Sequence, residues 1–250
     1  MLDQNLASMR NSPEGPKDKE VVHELRVTTK RLRAAWKMVS ATVSPEFITR
    51  QKNGLRELSA LLAEDRDLAV LIDLATKLHK NYKSSSFCEV VSFLNENVAE
   101  SESIDSRPIV ESLIDQEKIA WEHVQFSSST AEQRCLRNAV RKSRSRARFA
   151  TKLALKDSDS EIWHTWRKKV KQLRYQREFL AEIQHRVAGK FDARISRLGS
   201  LLGDRNDMAN LTSVAKKMGN PGRIRKALAA KERRILGNCR RLGRRNLVAR

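Results

Sequence analysis

The sequence has little of what sheets, disulfide frameworks or membrane spans require. Only 5% of its 250 residues are aromatic, and it contains nine glycines and five prolines, which is few for the short strands and frequent turns of a β-sandwich. Its three cysteines, Cys88, Cys135 and Cys239, make no CxxC pair, so neither a zinc site nor a disulfide framework is indicated. No apolar run approaches the roughly 18 residues of a membrane span, and no signal peptide is evident. We therefore expect a helical protein of the reducing cytoplasm that does not enter the membrane.

Acidic residues are scarce as well, except in one segment. The chain has 50 lysines and arginines against 30 acids, a net charge of +20, while 40% hydrophobic residues are enough for a folded core. Ser84–Gln133 holds ten acids and two bases, whereas Arg134–Lys156 holds nine bases and no acid, and Arg223–Arg250 holds eleven bases and one acid. Solvated basic faces are the simplest interpretation of a single run. Several runs with almost no acid among them instead predict one strongly positive region that binds a polyanion.

Apolar periodicity predicts about eight helices and no strand. Residues 1–16 contain two prolines and a glycine, so we expect a flexible lead-in, followed by a long helix over about 17–41. Ser44-Pro45-Glu46 is typical of a helix start, with a capping hydroxyl, a proline at the first helical position and then an acid. The helical stretch that follows is expected to run towards residue 83, with a kink near 64–65.

Further helices are predicted along the rest of the chain. Two shorter ones are expected at about 89–99 and 108–124. Thr130-x-x-Gln133 and Ser158-x-x-Glu161 match the capping-box pattern and predict the starts of two long basic helices. Another helix is expected after Gly189, and the Gly-Asn-Pro-Gly sequence at 219–222 should separate it from a final basic helix.

One pattern occurs twice, a histidine followed by cations at offsets of three, seven and ten. The first stripe is His23, Arg26, Lys30 and Arg33, and the second stripe is His164, Arg167, Lys171 and Arg174. At about 100° per residue these offsets fall on one narrow face of an α-helix. Like charges on one face repel each other, so a chain that carries two such stripes is predicted to hold a polyanion against them.

A second match between the two parts of the chain has nearly the same offset. Leu58–Ala69 is similar to Leu198–Ala209 at an offset of 140 residues, and the two histidines of the stripes are 141 residues apart. Two independent matches at nearly one offset indicate an internal duplication. We therefore predict two related helical halves, packed with pseudo-twofold symmetry as one domain.

The segments HELRVTTKRLR, HTWRKKVKQLRY and LLGDRND resemble the half-repeats of the CHAD family, the conserved histidine α-helical domain. The resemblance implies an all-α fold of two pseudo-symmetric four-helix bundle repeats around a basic groove or pore that binds inorganic polyphosphate. The domain would span 17–250, with half-repeats at about 17–127 and 128–250. Two departures are Gln172, where the first half has Arg31, and Trp166, where the first half has Leu25.

The candidate binding residues combine the two stripes with neighbouring cations. Lys168 lies one turn after His164, and arginines from Arg134 to Arg148 recur at alternating spacings of three and four along one helix face. Arginines can grip phosphate oxygens with forked donors, whereas lysines act as compact point charges. The predicted polyphosphate-binding residues are His23, Arg26, Lys30, Arg31, Arg33, Arg137, Arg141, Arg144, His164, Arg167, Lys168, Lys171 and Arg174.

The remaining polar and aromatic residues receive supporting roles. Asp67 and Asp207 follow the leucine-rich segments of the two halves and are predicted to pair with stripe arginines. The four tryptophans could stack on bases, but their helical spacing favours core packing. Binding is also expected to take up protons at the stripe histidines and to tighten as the pH falls from about 8 to about 6.

The predicted function is therefore polyphosphate binding, with localisation at polyphosphate granules as an open question. No phosphate loop, metal-ligand motif or catalytic set is present in the sequence, so no enzyme activity, metal or cofactor is predicted, and the oligomeric state, monomer or dimer, is left open. The alternative is sequence-nonspecific RNA or DNA binding through the same basic surface, although no groove-reading motif is evident. A phosphoryl-transfer enzyme is the least favoured interpretation.

Overall fold

The computed structural model describes residues 19–61, 64–82, 85–98, 106–219 and 221–249, and within these ranges it is helical with no strand. These ranges contain nine α-helices, α1 (Lys19–Trp36), α2 (Pro45–Leu61), α3 (Glu64–Tyr82), α4 (Ser85–Val98), α5 (Ser106–Glu122), α6 (Ser129–Lys156), α7 (Ser160–Ile183), α8 (Lys190–Lys217) and α9 (Pro221–Gly243), followed by a π-helical turn at Arg244–Val248. The predicted all-α class is confirmed. The arrangement as two bundle repeats around a groove stays a prediction, and the predicted lead-in at 1–16 lies outside the described residues.

Helix starts follow local capping chemistry, although two of the predicted caps are wrong. Ser44 caps α2 as predicted, because its Oγ accepts a 3.2 Å hydrogen bond from the Phe47 amide. At α6 the cap is Ser128 instead of Thr130, with Oγ accepting from the Ala131 amide at 3.2 Å. At α7 the cap is Asp159, one residue after the predicted Ser158. Its Oδ1 accepts hydrogen bonds from the amides of Glu161 and Ile162 at 2.8 and 3.1 Å.

Helix α1 ends earlier than predicted. It stops at Trp36, and a turn follows in which the Met38 amide donates to the Ala35 carbonyl at 2.7 Å and Thr42 Oγ1 donates to the Val39 carbonyl at 2.8 Å. Met38 and Val39 are buried, so burial continues past the helix although the helical backbone does not.

The duplicated segment is described throughout in only one of the two parts of the chain. Leu198–Ala209 lies inside the continuous helix α8. The matching Leu58–Ala69 includes residues 62–63, which lie outside the described residues, with the end of α2 before them and the start of α3 after them. The kink predicted near 64–65 therefore stays a prediction.

The chain divides into two compact units. Unit 1 comprises residues 1–66, 102–142 and 175–187, and unit 2 comprises 67–101, 143–174 and 188–250. Each unit draws segments from both predicted halves, and the half-repeat boundary near 127 stays a prediction. Helices α6 and α7 each contribute residues to both units.

In unit 1, α1 packs against α2 and α5. The indole rings of Trp36 and Trp121 stack with their centroids 4.2 Å apart, and both donate to one oxygen of Glu117, at 2.9 and 3.1 Å. Glu117 is buried, and this burial raises the pKa of its carboxyl although the two indole hydrogen bonds oppose the shift. The cluster fixes the end of α1, directly after the first stripe.

In unit 2, α9 packs along α8 and also contacts α4 and the π-helical turn. Trp163 and Trp166 of α7 are fully buried and meet edge to face at 5.0 Å. At Gly243 a Cβ atom would lie 2.6 Å from Trp166 and 2.9 Å from the Thr151 methyl group. Only glycine therefore lets the end of α9 approach α6 and α7 so closely.

No helix among the described residues is long and apolar enough to cross a membrane.

Candidate functional site

The first stripe lies on α1 in unit 1, on a helix whose inner face is apolar. Leu25, Leu32 and Trp36 are buried, and Thr29 is fully buried with its hydroxyl donating to the Arg26 carbonyl at 3.1 Å. This anchoring orients the helix, so the stripe residues occupy its margin. Arg26 is itself 7% exposed and is the least accessible member.

The other members of the first stripe are more open. His23 is exposed, and Lys30 and Arg33 are half-buried. Burial lowers the pKa of Arg33, and the charge of Arg56 lowers it further. An arginine remains charged at neutral pH even so, which means that two like charges face each other where α1 packs on α2.

Arg56 was not predicted from the sequence. It lies on α2, is exposed, and donates to the side chain of Asn53 at 2.9 Å. No spacing rule links it to the stripe, because the approach to Arg33 depends on how two helices pack. Arg56 is therefore a further candidate residue of the first stripe.

Arg31 differs from the stripe residues beside it. Its guanidinium forms an ion pair with Glu178 at 3.5 Å, and both belong to unit 1. Nearby, the fully buried Gln176 donates to the Ala34 carbonyl at 3.0 Å. Arg31 therefore has an internal counter-charge, which reduces what it can offer to an external anion.

The second stripe lies on α7 in unit 2 and shows the same division into faces. Trp163, Trp166, Val170 and Leu173 are buried. All four stripe residues are half-buried, and the added Lys168 is exposed. His164, Arg167, Lys171 and Arg174 thus lie between the apolar core and the solvent.

Arg167 is one of several arginines in the described residues that have a buried Nε. Its Nε is buried and finds no hydrogen-bond partner among the described residues, and no acid in the described part of the chain pairs with its guanidinium. A cation that is partly removed from water without a counter-charge is costly. An oxyanion bound to this group would supply the missing acceptor.

The two other positions on this part of α7 have protein contacts. The Arg174 side chain passes over Gly199 of α8, where a Cβ atom would sit 3.9 Å from it. Gln172 donates to the Ser143 hydroxyl at 2.9 Å. The residue that replaces a cation is thus used to join α7 to α6.

The arginine row on α6 is divided between the units. Arg137 and Arg141 belong to unit 1 and Arg144 to unit 2, and all three are exposed. Arg137 reaches Gln133 at 3.5 Å, and the Arg144 guanidinium lies 4.9 Å from the Phe191 ring. Neither contact neutralises a charge.

Of the two predicted supporting acids, only Asp207 has a side chain within the described residues. Asp207 accepts a 3.5 Å hydrogen bond from Asn206, and in the described residues no arginine pairs with it. It lies near Asp204, whose pKa is raised mainly by burial and further by the Asp207 charge. The side chain of Asp67 lies outside the described residues, so the supporting role of both acids stays a prediction.

The tryptophans are confirmed as core residues. Trp36, Trp163 and Trp166 are fully buried and Trp121 is half-buried. Among the described residues no group of three or more His, Cys, Asp or Glu side chains is placed to hold a metal ion.

A comparison with models of protein families identifies the family of this chain. The model of the CHAD domain matches residues 1–215, a range that includes both stripes and the arginine row of α6. The chain belongs to the CHAD domain family. Membership of this family is consistent with polyphosphate binding, while helix α9 lies beyond the matched range. No curated protein and no solved structure in the comparisons matches the chain.

Proposed function

We propose that this CHAD protein binds inorganic polyphosphate through its two stripes. The observation that supports this most directly is Arg167, whose half-buried guanidinium has a buried Nε and no acid partner among the described residues. A chain of phosphates offers repeated anionic oxygens without bases or side groups. Cations aligned at helical spacing suit such a ligand because they provide charge without selective readout.

Each stripe combines guanidinium and ammonium groups. Arg33, Arg167 and Arg174 carry planar guanidinium groups that can bind two phosphate oxygens at once, and Lys30 and Lys171 add point charges. Arg137, Arg141 and Arg144 supply exposed charge along α6. The protein acts as a binder, and its recruitment to polyphosphate granules in the cytoplasm follows from this proposal.

The test is polyphosphate affinity at physiological salt after removal of two charges from the second stripe. Arg167→Gln/Lys171→Gln should weaken binding by roughly 3–6 kcal/mol if each charged hydrogen-bond set contributes about 1.5–3 kcal/mol. The matched control, Lys226→Gln/Arg234→Gln, removes one lysine and one arginine from exposed positions of α9 in the same unit. Equal losses in the two variants would contradict a dedicated site, because they would indicate a diffuse response to net charge.

A further inference from the structure

One exposed face of α6 combines cations with an aromatic ring. Phe149 is 65% exposed, and Leu153, one turn later, is 39% exposed. Arg146, Lys152 and Lys156 are exposed around them. At about 100° per residue these five side chains fall within roughly 120° of the helix circumference. We call this set the outer face of α6, and it belongs entirely to unit 2.

The outer face is separate from the predicted polyphosphate residues on the same helix. The row of Arg137, Arg141 and Arg144 is centred roughly 110° away around the helix axis. Unlike that row, the outer face exposes a phenyl ring at its centre. A burial-driven fold gives no reason to place phenylalanine there, since the buried side of α6 is formed by other residues, such as Ala147, Ala150 and Ala154.

The charge on this face is not compensated. None of Arg146, Lys152 and Lys156 pairs with an acid among the described residues, and the sequence from Arg134 to Lys156 contains no acid. The face therefore attracts an anion, and the ring adds a planar apolar surface. Polyphosphate can use the cations but gains nothing from the ring.

We propose that the outer face of α6 binds single-stranded nucleic acid, with a base stacked on Phe149 and backbone phosphates on Arg146, Lys152 and Lys156. Stacking on an exposed aromatic side chain combined with a cationic track is the chemistry of sequence-tolerant single-strand binding. Leu153 extends the apolar surface under the next nucleotide. RNA and single-stranded DNA share this chemistry.

Two other partners fit the face less well. A second copy of the chain could bring the exposed Ile119 of α5, flanked by Glu111, Asp115 and Glu122, but two copies that each carry +20 repel each other. An anionic membrane would require a longer apolar stripe than two side chains provide. The net charge and the single ring both favour a flexible polyanion that has bases.

The test compares ligands with and without bases. Binding of Phe149→Ala is measured against oligouridine, oligodeoxyuridine of the same length, an abasic oligonucleotide of the same length, and polyphosphate. We expect binding of the base-bearing oligonucleotides to weaken by roughly 5- to 150-fold, the range for one base stacked on an aromatic side chain. Abasic and polyphosphate binding should change by less than about twofold. The ratio of the first two ligands distinguishes RNA from DNA as the preferred source.

Matched variants separate stacking from general effects. Phe149→Trp should retain binding, Phe149→Leu should lose it although the apolar area is similar, and Ile119→Ala removes an exposed apolar side chain from an acidic face and should change nothing. Thermal unfolding of each variant checks that the exposed substitution leaves the fold intact. The proposal is overturned if Phe149→Ala binds all four ligands like the wild type, or loses all four equally. A concentration-dependent increase in mass that Phe149→Ala abolishes, with oligonucleotide binding unchanged, would also overturn it and assign the face to a second copy.

Discussion

The two stripes carry the same motif but differ in how their surroundings treat the cations. In unit 1, Arg26 is buried and Arg31 forms an ion pair with Glu178. In unit 2, Arg167 is half-buried without an acid partner among the described residues, and Gln172 takes the position of Arg31 and donates to Ser143.

This difference leaves more available positive charge at the second stripe than at the first. Arg31, the cation beside the first stripe, has an internal counter-charge, and the second half has glutamine at that position. The second half instead adds the exposed Lys168, where the first half has Val27. Gln172 in place of arginine therefore changes little in the balance of charge.

The largest effect on stability is expected from a substitution that disturbs the helix packing behind the second stripe and leaves the first stripe unchanged. Gly243→Ala would place a Cβ atom 2.6 Å from Trp166 and 2.9 Å from Thr151, so the helices must move apart. We expect the free energy of unfolding to fall by about 3 kcal/mol, measured by denaturant unfolding. Gly237→Ala on the same helix meets nothing within 4 Å and should be neutral or stabilising by about 0.5–1 kcal/mol. Equal stability of the two variants would show that Gly243 is not the close contact described.

The next largest effect is expected from replacing the equivalent arginine of each stripe, one at a time, by glutamine. Arg167→Gln should weaken polyphosphate binding by about 1.5–3 kcal/mol and leave the melting temperature nearly unchanged, because the side chain lacks a protein acid partner. Arg26→Gln should lower both the polyphosphate affinity and the melting temperature, because Arg26 is 7% exposed and its side chain is part of the packing. Titration calorimetry and thermal unfolding of the two variants provide the comparison. The same pair of responses from both arginines would mean that the stripes are equivalent.

A smaller effect is expected on the pH dependence of stability, because the cluster at the end of α1 contains the buried carboxyl of Glu117. Burial raises the pKa of Glu117 above its ordinary value of 4.5, so the folded state retains a proton that the unfolded state has already released. Stability should therefore fall as the pH rises from about 4.5 through the folded pKa. Glu117→Gln keeps one side-chain oxygen to which both indoles can donate, and it cannot ionise, so its unfolding free energy should not decline in that window. Parallel profiles for the two proteins would argue against this assignment.

The smallest effect should come from Arg31. Because Glu178 balances its charge, Arg31→Gln is expected to weaken polyphosphate binding by less than about 1 kcal/mol. Glu178→Gln removes the counter-charge and should tighten binding by a similar amount. A loss from Arg31→Gln as large as that from Arg167→Gln would show that Arg31 contacts the ligand despite its ion pair.

Local signals in the sequence predicted much of the fold. Ser44 and Pro45 correctly marked the start of α2, with Ser44 as its cap. The caps of α6 and α7 were misplaced because several adjacent residues can cap. Ser128, Ser129 and Thr130 all carry hydroxyls, and only the backbone path selects Ser128. The end of α1 was misjudged because buried apolar residues continue beyond the last helical turn.

The sequence by itself determined the helical class, the spacing that aligns a histidine with three cations, and the excess of positive charge. These properties depend on residues close together in the chain, where helix geometry alone sets their relation. Only the tertiary structure decided that Glu178 neutralises Arg31 and that Arg56 approaches Arg33. It also decided that Gly243 leaves space for the Trp166 ring. Such contacts join residues far apart in sequence, and no local rule selects them because they depend on how the helices pack.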